Sequence, residues 1–156
     1  MDLSSTQTIT GAKSFSGDGA IQFAEVTITT GQVLALNATP ITVVAAPGAG
    51  KVLVPTRMAV VMDYAGVAYA GIGATEELVL RYTDGSGAIA MTVETTGFLD
   101  ATADAIRVGA IDAAAAAAIT PVANSPLVLH MAVGEITTGT SPLRVKVWYT
   151  VFSTGL

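Results

Sequence analysis

Cysteine is absent from all 156 residues, which excludes a disulfide framework and any thiolate metal site. Charge is scarce as well. Asp, Glu, Lys and Arg make up 12% of the chain, about half the share usual in a soluble protein. Seven basic residues stand against twelve acidic ones, giving a net charge of −5. The four arginines and three lysines are scattered, so the basic footprint that nucleic acid requires is missing. The same sign argues against docking on an anionic membrane. Long apolar runs are lacking too, although 51% of the residues are hydrophobic and mean hydropathy is +0.62. A membrane-spanning helix needs roughly 20 mostly apolar residues in succession. The uncharged stretch Val26–Gly50 is broken by Gly31, Asn37, Pro40 and Pro47, and Ala113–Gly134 by Pro121, Asn124 and Pro126. Met1-Asp2-Leu3-Ser4-Ser5 is neither basic nor followed by an apolar core, so a secretory signal is not expected.

What is present is alternation. In Glu77–Glu94, Leu78, Leu80 and Tyr82 alternate with Val79, Arg81 and Thr83. After Asp84-Gly85-Ser86-Gly87 the pattern resumes with Ile89, Met91 and Val93. A period of two puts each set on its own face of a strand, and the Asp-Gly-Ser-Gly stretch supplies the reversal. The expected hairpin pairs Tyr82 with Ile89, Leu80 with Met91 and Leu78 with Val93 on one face. Val79 and the alanines on the other face imply a sheet covered on both sides.

The flanking chain divides in two. Residues 1–30 are rich in Ser, Thr and Gly, with apolar residues only at intervals, and read as an extended N-terminal arm. Residues 31–156 read as one domain. Its apolar runs are Gln32–Leu36, Ile41–Ala45, Lys51–Val54, Arg57–Tyr64, the hairpin, Asp104–Ile111, Leu127–Ile136 and Leu143–Ser153. A short strand is expected near Val67–Ala70. Asp112–Ile119, with six consecutive alanines, is the best helix candidate, capped by Asp112 and ended by Pro121. In the last run Val145, Val147, Tyr149 and Val151 share a face; Arg144, Lys146, Trp148, Thr150 and Phe152 share the other. About eight strands at roughly ten-residue spacing predict an all-β fold, a single β-sandwich of jelly-roll type.

The residue types that carry chemistry do not converge. Pro47-Gly48-Ala49-Gly50-Lys51 resembles the end of a phosphate-binding loop, yet Ala45 and Val52 stand where Gly and Ser or Thr are required. His130, the only histidine, shares a strand face with Val128 and Ala132 and reads as a core or interface residue. No G-x-S-x-G elbow accompanies it. Asp100 and Asp104 are the densest acids, without the spacing of a calcium loop; solvated loop positions account for them. Glu76 and Glu77 are adjacent and point to opposite faces of a strand. Tyr64, Tyr69, Tyr82, Trp148 and Tyr149 are scattered, and a core role is simpler for most than a sugar-binding surface. No catalytic residue, cofactor or metal ligand is therefore expected, and the chain does not read as an enzyme.

Thr6-Gln7-Thr8-Ile9-Thr10-Gly11-Ala12-Lys13-Ser14-Phe15 resembles the T-Q-T-I-x-G-x-K-x-F segment of tailed-bacteriophage fibre and other virion surface proteins. The body, from Leu36-Asn37-Ala38-Thr39-Pro40 to Thr96-Gly97-Phe98-Leu99-Asp100, is similar in style to small phage structural proteins. The resemblance implies a trimeric, β-rich virion component with an extended N-terminal arm and a compact β domain, and leaves head or tail open. The expected role is that of a non-enzymatic capsid decoration or head-fibre protein, made in the host cytoplasm and carried on the capsid surface rather than the tail. Its expected partners are itself and the major capsid protein or another virion protein, with no nucleic acid and no membrane. Ile9, Lys13, Phe15, Ile21 and Phe23 are the expected contact residues of the arm. The alternative is a tail-fibre or receptor-binding module that recognises host glycan.

Overall fold

In a computed structural model that describes residues 17–110 and 119–155, eight strands form two four-stranded antiparallel sheets. The strands are β1 (Ile21–Ile28), β2 (Ile41–Val44), β3 (Lys51–Met62), β4 (Leu78–Tyr82), β5 (Ile89–Val93), β6 (Ala105–Ala110), β7 (Leu127–Met131) and β8 (Leu143–Ser153). One sheet runs β1-β8-β3-β6 and the other β2-β7-β4-β5. The first strand pairs with the eighth, the second with the seventh, the third with the sixth and the fourth with the fifth. That nesting is a long hairpin wrapped into two layers, the jelly roll expected from the strand spacing.

The hairpin at its centre is β4–β5. Leu78 opposes Val93 and Leu80 opposes Met91, as the alternation predicts. The third expected pair does not form, because a bulge after Leu80 sets Ile89 opposite Arg81. The turn produces the shift. Tyr82 N–H donates to the Ala88 carbonyl, Gly87 N–H to Asp84, and the Gly87 carbonyl accepts from Arg81 Nη1. Gly87 lies so close to the Tyr82 carbonyl that an added Cβ would stand 1.7 Å from its oxygen. Tyr82 stays in the core, its hydroxyl donating to the Leu53 carbonyl at 2.7 Å, while Ile89 is left exposed.

The run at Gln32–Leu36 is not a strand. A short helix, α1 (Thr30–Leu34), replaces it, started by a capping box at Thr29. Gln32 N–H donates to the Thr29 hydroxyl, and Thr29 N–H to the Gln32 side-chain carbonyl at 2.8 Å. Polar residues that satisfy the first free N–H groups favour a helix over extension. Val33 and Leu36 still reach the core. Near Val67–Ala70 the strand reduces to a single bridge, Ala70 to Thr138. The expected helix at Asp112–Ile119 lies, but for Ile119, outside the described residues.

The core lies between the sheets. Met58, Val60 and Met62 of β3 and Val145 and Val147 of β8 meet Leu78, Leu80, Leu129 and Met131 of the second sheet. Pro55 sits inside β3, where its missing N–H coincides with a register shift against β8 between Pro55 and Arg57. The segment expected to be an extended arm includes β1 at Ile21–Ile28, an edge strand in unbroken register with β8 over eight residue pairs.

Candidate functional site

The outward face of the β1-β8-β3-β6 sheet carries most of the unusual surface. Antiparallel pairing sets Phe23 beside Trp148 and Trp148 beside Arg57. The Phe23 and Trp148 rings are tilted, with centroids 5.3 Å apart, and the Arg57 guanidinium lies 6.0 Å over the indole. One register step away is Ile21. It is 70% exposed and Phe23 is 51% exposed. Ile21, Thr56, Arg57 and Trp148 enclose a cleft of about 250 Å3. Across the sheet, Ile106 and Val108 of β6 are 63% and 60% exposed.

The charges on this face mostly cancel. Arg144 grips Asp63 with two hydrogen bonds, Nε at 2.9 Å and Nη2 at 2.8 Å. That hydrogen bonding holds the Asp63 carboxyl below its usual range. Lys146 pairs with Glu25 at 3.3 Å. Arg57 has the indole face as its neighbour and no carboxylate among the described residues. The result is an apolar, nearly neutral surface on a chain of net charge −5.

β6 shows that the outward apolar residues are fixed in place. Simple alternation would put Arg107 in water and Ile106 and Val108 inside. Instead Arg107 turns toward the second sheet, donates to the carbonyls of Glu94 and Thr96 at 3.3 and 3.1 Å, and lies 5.8 Å over Phe98. Gly109 explains the choice. An added Cβ there would be 2.7 Å from Val93 Cγ2 and 2.8 Å from the Thr92 carbonyl, so only glycine lets β6 close on β5. A one-residue slip would bring Val108 into that gap and expose the arginine contacts.

The expected contact residues divide. Ile21 and Phe23 are outward on β1; Ile9, Lys13 and Phe15 lie outside the described residues. The other candidates do not gather. His130 is buried, 6% exposed, with Nε2 3.0 Å from the Asn37 carbonyl. Asp104 accepts from Tyr64 N–H at 2.8 Å, and Glu76 from Gly73 N–H at 2.7 Å. Tyr69 is buried and donates to the Ser141 carbonyl. Burial pushes the Tyr69 and Tyr82 phenols up to about 12. Lys51 opens β3 and borders a polar cleft of about 230 Å3 with Asp18, Gln22 and Tyr149. Among the described residues no three His, Asp or Glu side chains group as metal ligands would. No described helix is long and apolar enough to cross a membrane. Sequence reasoning singled out Trp148 and Phe152 on one strand face but missed Arg57, Ile106 and Val108 as parts of it. Gly109 was the available signal for β6.

No protein-family model matches the chain, and no curated protein matches it. Two solved structures are similar to it. A chain of the Cyanophage Pam1 capsid asymmetric unit is 17% identical over 96% of this chain and 99% of that one, with a TM-score of 0.45. A chain of the capsid of Ralstonia phage GP4 is 14% identical over 92% of this chain and 90% of that one, with a TM-score of 0.44.

Proposed function

We propose that this chain is a non-enzymatic virion structural protein that decorates or stabilises the capsid surface as a homotrimer, attached through its N-terminal arm. The observation that carries the reading is the outer face of the β1-β8-β3-β6 sheet. Large apolar side chains stand outward there, those of β6 held so by the close fit at Gly109 and the hydrogen bonds of Arg107, and a surface of that kind is suited to burial against another chain. The resemblance of Thr6–Phe15 to fibre and virion surface segments points to the kind of assembly. In this reading the outer face lines the contact between copies, and residues 1–16 reach the shell. Repetition over a lattice converts weak single contacts into firm attachment by raising effective concentration.

Deleting residues 1–16 spares β1 and tests the arm. The truncated protein is expected to keep its fold by circular dichroism and its oligomeric mass. It should no longer co-sediment with phage particles. Undiminished co-sedimentation refutes attachment through the arm.

A second reading, a tail module that recognises host glycan, draws on one feature: the cleft of Ile21, Thr56, Arg57 and Trp148, where an indole sits beside a cation that has no carboxylate partner among the described residues. Binding on a glycan array that disappears in Trp148→Ala would favour it.

A further inference from the structure

His130 stands on the outer face of the β2-β7-β4-β5 sheet, opposite Val79 and on the same strand face as Val128. Both valines are buried, and so is the histidine. Its Nε2 lies 3.0 Å from the Asn37 carbonyl, which can only accept, so Nε2 carries the proton of the neutral ring. Nδ1 is therefore a bare acceptor. It is buried and has no hydrogen-bond partner among the described residues. An unpaired buried nitrogen of this kind is uncommon in folded proteins. A proton taken up there would make it a donor on a buried cation, a state that requires a partner or access to water.

The cover over this ring is thin. Asn37-Ala38-Thr39-Pro40 bridges the buried Leu36 and β2, with Ala38 and Thr39 exposed. Besides the His130 contact, Asn37 Nδ2 donates to the Met131 carbonyl at 2.8 Å, and the Asn37 and Ala38 N–H groups donate to Glu135. The β4–β5 turn closes the other side. An added Cβ at Gly85 would stand 2.9 Å from His130 Nε2, 3.0 Å from Cδ2 and 3.0 Å from Pro40 Cγ, so ring, turn and cover are in direct contact. From this we infer that His130 is an acid-triggered latch: a proton on Nδ1 opens Asn37–Pro40 and uncovers Val79 and Val128 as a further apolar face. This goes beyond the assembly reading, which concerns the other sheet.

The charged groups around the ring do not serve Nδ1. On β4, Glu77 and Arg81 flank Val79, and Arg81 Nη1 is committed to the Gly87 carbonyl. In the β4–β5 turn the Asp84 carboxylate accepts from the N–H and the hydroxyl of Ser86. Beyond β7, Glu135 is occupied by the two N–H groups of the cover. Asn37–Val44 and the rest of β7 contain no titratable side chain. The neutral ring is the form that the closed fold accommodates. The cover is therefore complete at higher pH and is lost as pH falls through the interval in which histidine takes up its proton, between about 8 and 5.

The test is amide hydrogen exchange of the full chain at about pH 8 and about pH 5, corrected for the intrinsic rate at each pH. Protection of Asn37 and Ala38 is expected to fall about tenfold or more at the lower pH, while that of Val145 and Val147 changes less than about twofold. A fluorescent dye that binds apolar surface should brighten in step. His130→Gln keeps a side-chain N–H for the Asn37 carbonyl but takes up no proton, and both changes should vanish in it. Glu135→Gln separates the histidine from the carboxylate that holds the same two N–H groups, and the acid response should survive in it. A response that persists in His130→Gln, or that disappears in Glu135→Gln, overturns the inference. So does an imidazolium at His130, seen by 15N NMR, with protection of Asn37 and Ala38 unchanged. Should His130→Gln fail to fold, the unmodified protein decides: ring protonation and opening must share one midpoint, and separate midpoints refute the latch.

Discussion

The two sheets treat their outer faces in opposite ways. In the β2-β7-β4-β5 sheet both faces are covered: all five residues of β7 are buried, and so are Val79, Val128 and Ala90 on the outer side. The chain itself supplies the cover. The Asn37 carbonyl meets His130, and Gly85 of the β4–β5 turn packs between His130 and Pro40. Glu135 secures that cover by accepting from Asn37 N–H at 3.0 Å and Ala38 N–H at 2.7 Å. The β1-β8-β3-β6 sheet has apolar side chains on its outer face and no such lid among the described residues. Burial of the first kind stabilises the monomer. The apolar surface of the second kind is covered by no described residue, and the contrast separates residues that hold the fold from residues that stand outside it.

Mutations can break that contrast. Leu80→Ala, in the fully buried layer, is expected to cost about 3–5 kcal/mol in urea unfolding. Phe23→Ala on the open face should cost less than about 1 kcal/mol. Equal losses in the two variants would mean that the faces are not distinct.

Gly109→Ala should cost about 2 kcal/mol or more, read as a lower Tm, because the new methyl meets Val93 and the Thr92 carbonyl. A neutral result would undo the claim that β6 is locked with Ile106 and Val108 outward.

Alkaline titration sharpens the inner side of the comparison. Tyr69 and Tyr82, raised by burial from 10.0 to about 12, are held neutral by the fold. Their contribution is complete below about pH 10 and is lost as pH rises toward 12. Ultraviolet difference spectra should show two phenols ionising late, together with unfolding. Tyr82→Phe should remove one of them and leave the Leu53 carbonyl without its donor.

Glu135→Ala should cost about 1 kcal/mol by freeing two backbone N–H groups, one of them partly buried. Hydrogen exchange at Asn37 and Ala38 should rise with it.

The smallest effect is expected at Asp63→Asn on the open face. Its carboxyl lies below the usual range, so its contribution is present above about pH 4 and lost as pH falls further. The variant should flatten the acid limb of the stability profile slightly, and added salt should shrink the difference.

Much of this was legible in the sequence, for a physical reason in each case. Period-two alternation located the β4–β5 hairpin and the two faces of β8, because a half-buried strand records its environment residue by residue. Local chemistry was harder to read. The capping pair Thr29 and Gln32 competed with a short apolar run and produced α1. The Gly87 contact shifted the last hairpin pair by a bulge. β6 was the instructive case, since Arg107 faces inward only because Phe98 and the carbonyls of Glu94 and Thr96 receive it. Those partners come from elsewhere in the chain. The outer face belongs to the same class: Phe23, Arg57 and Trp148 become one surface only through the pairing of β1, β8 and β3.

The position of β8 has a consequence for how the protein is made. It lies between β1 and β3, and it follows both in sequence. On the ribosome, β1 therefore emerges early and has no hydrogen-bonding neighbour in its sheet until β8 has left the tunnel. Closure of that sheet waits for the last strand, so folding is expected to be slow and largely post-translational. In the interval the apolar edge of β1 is exposed on both sides to every other nascent chain nearby.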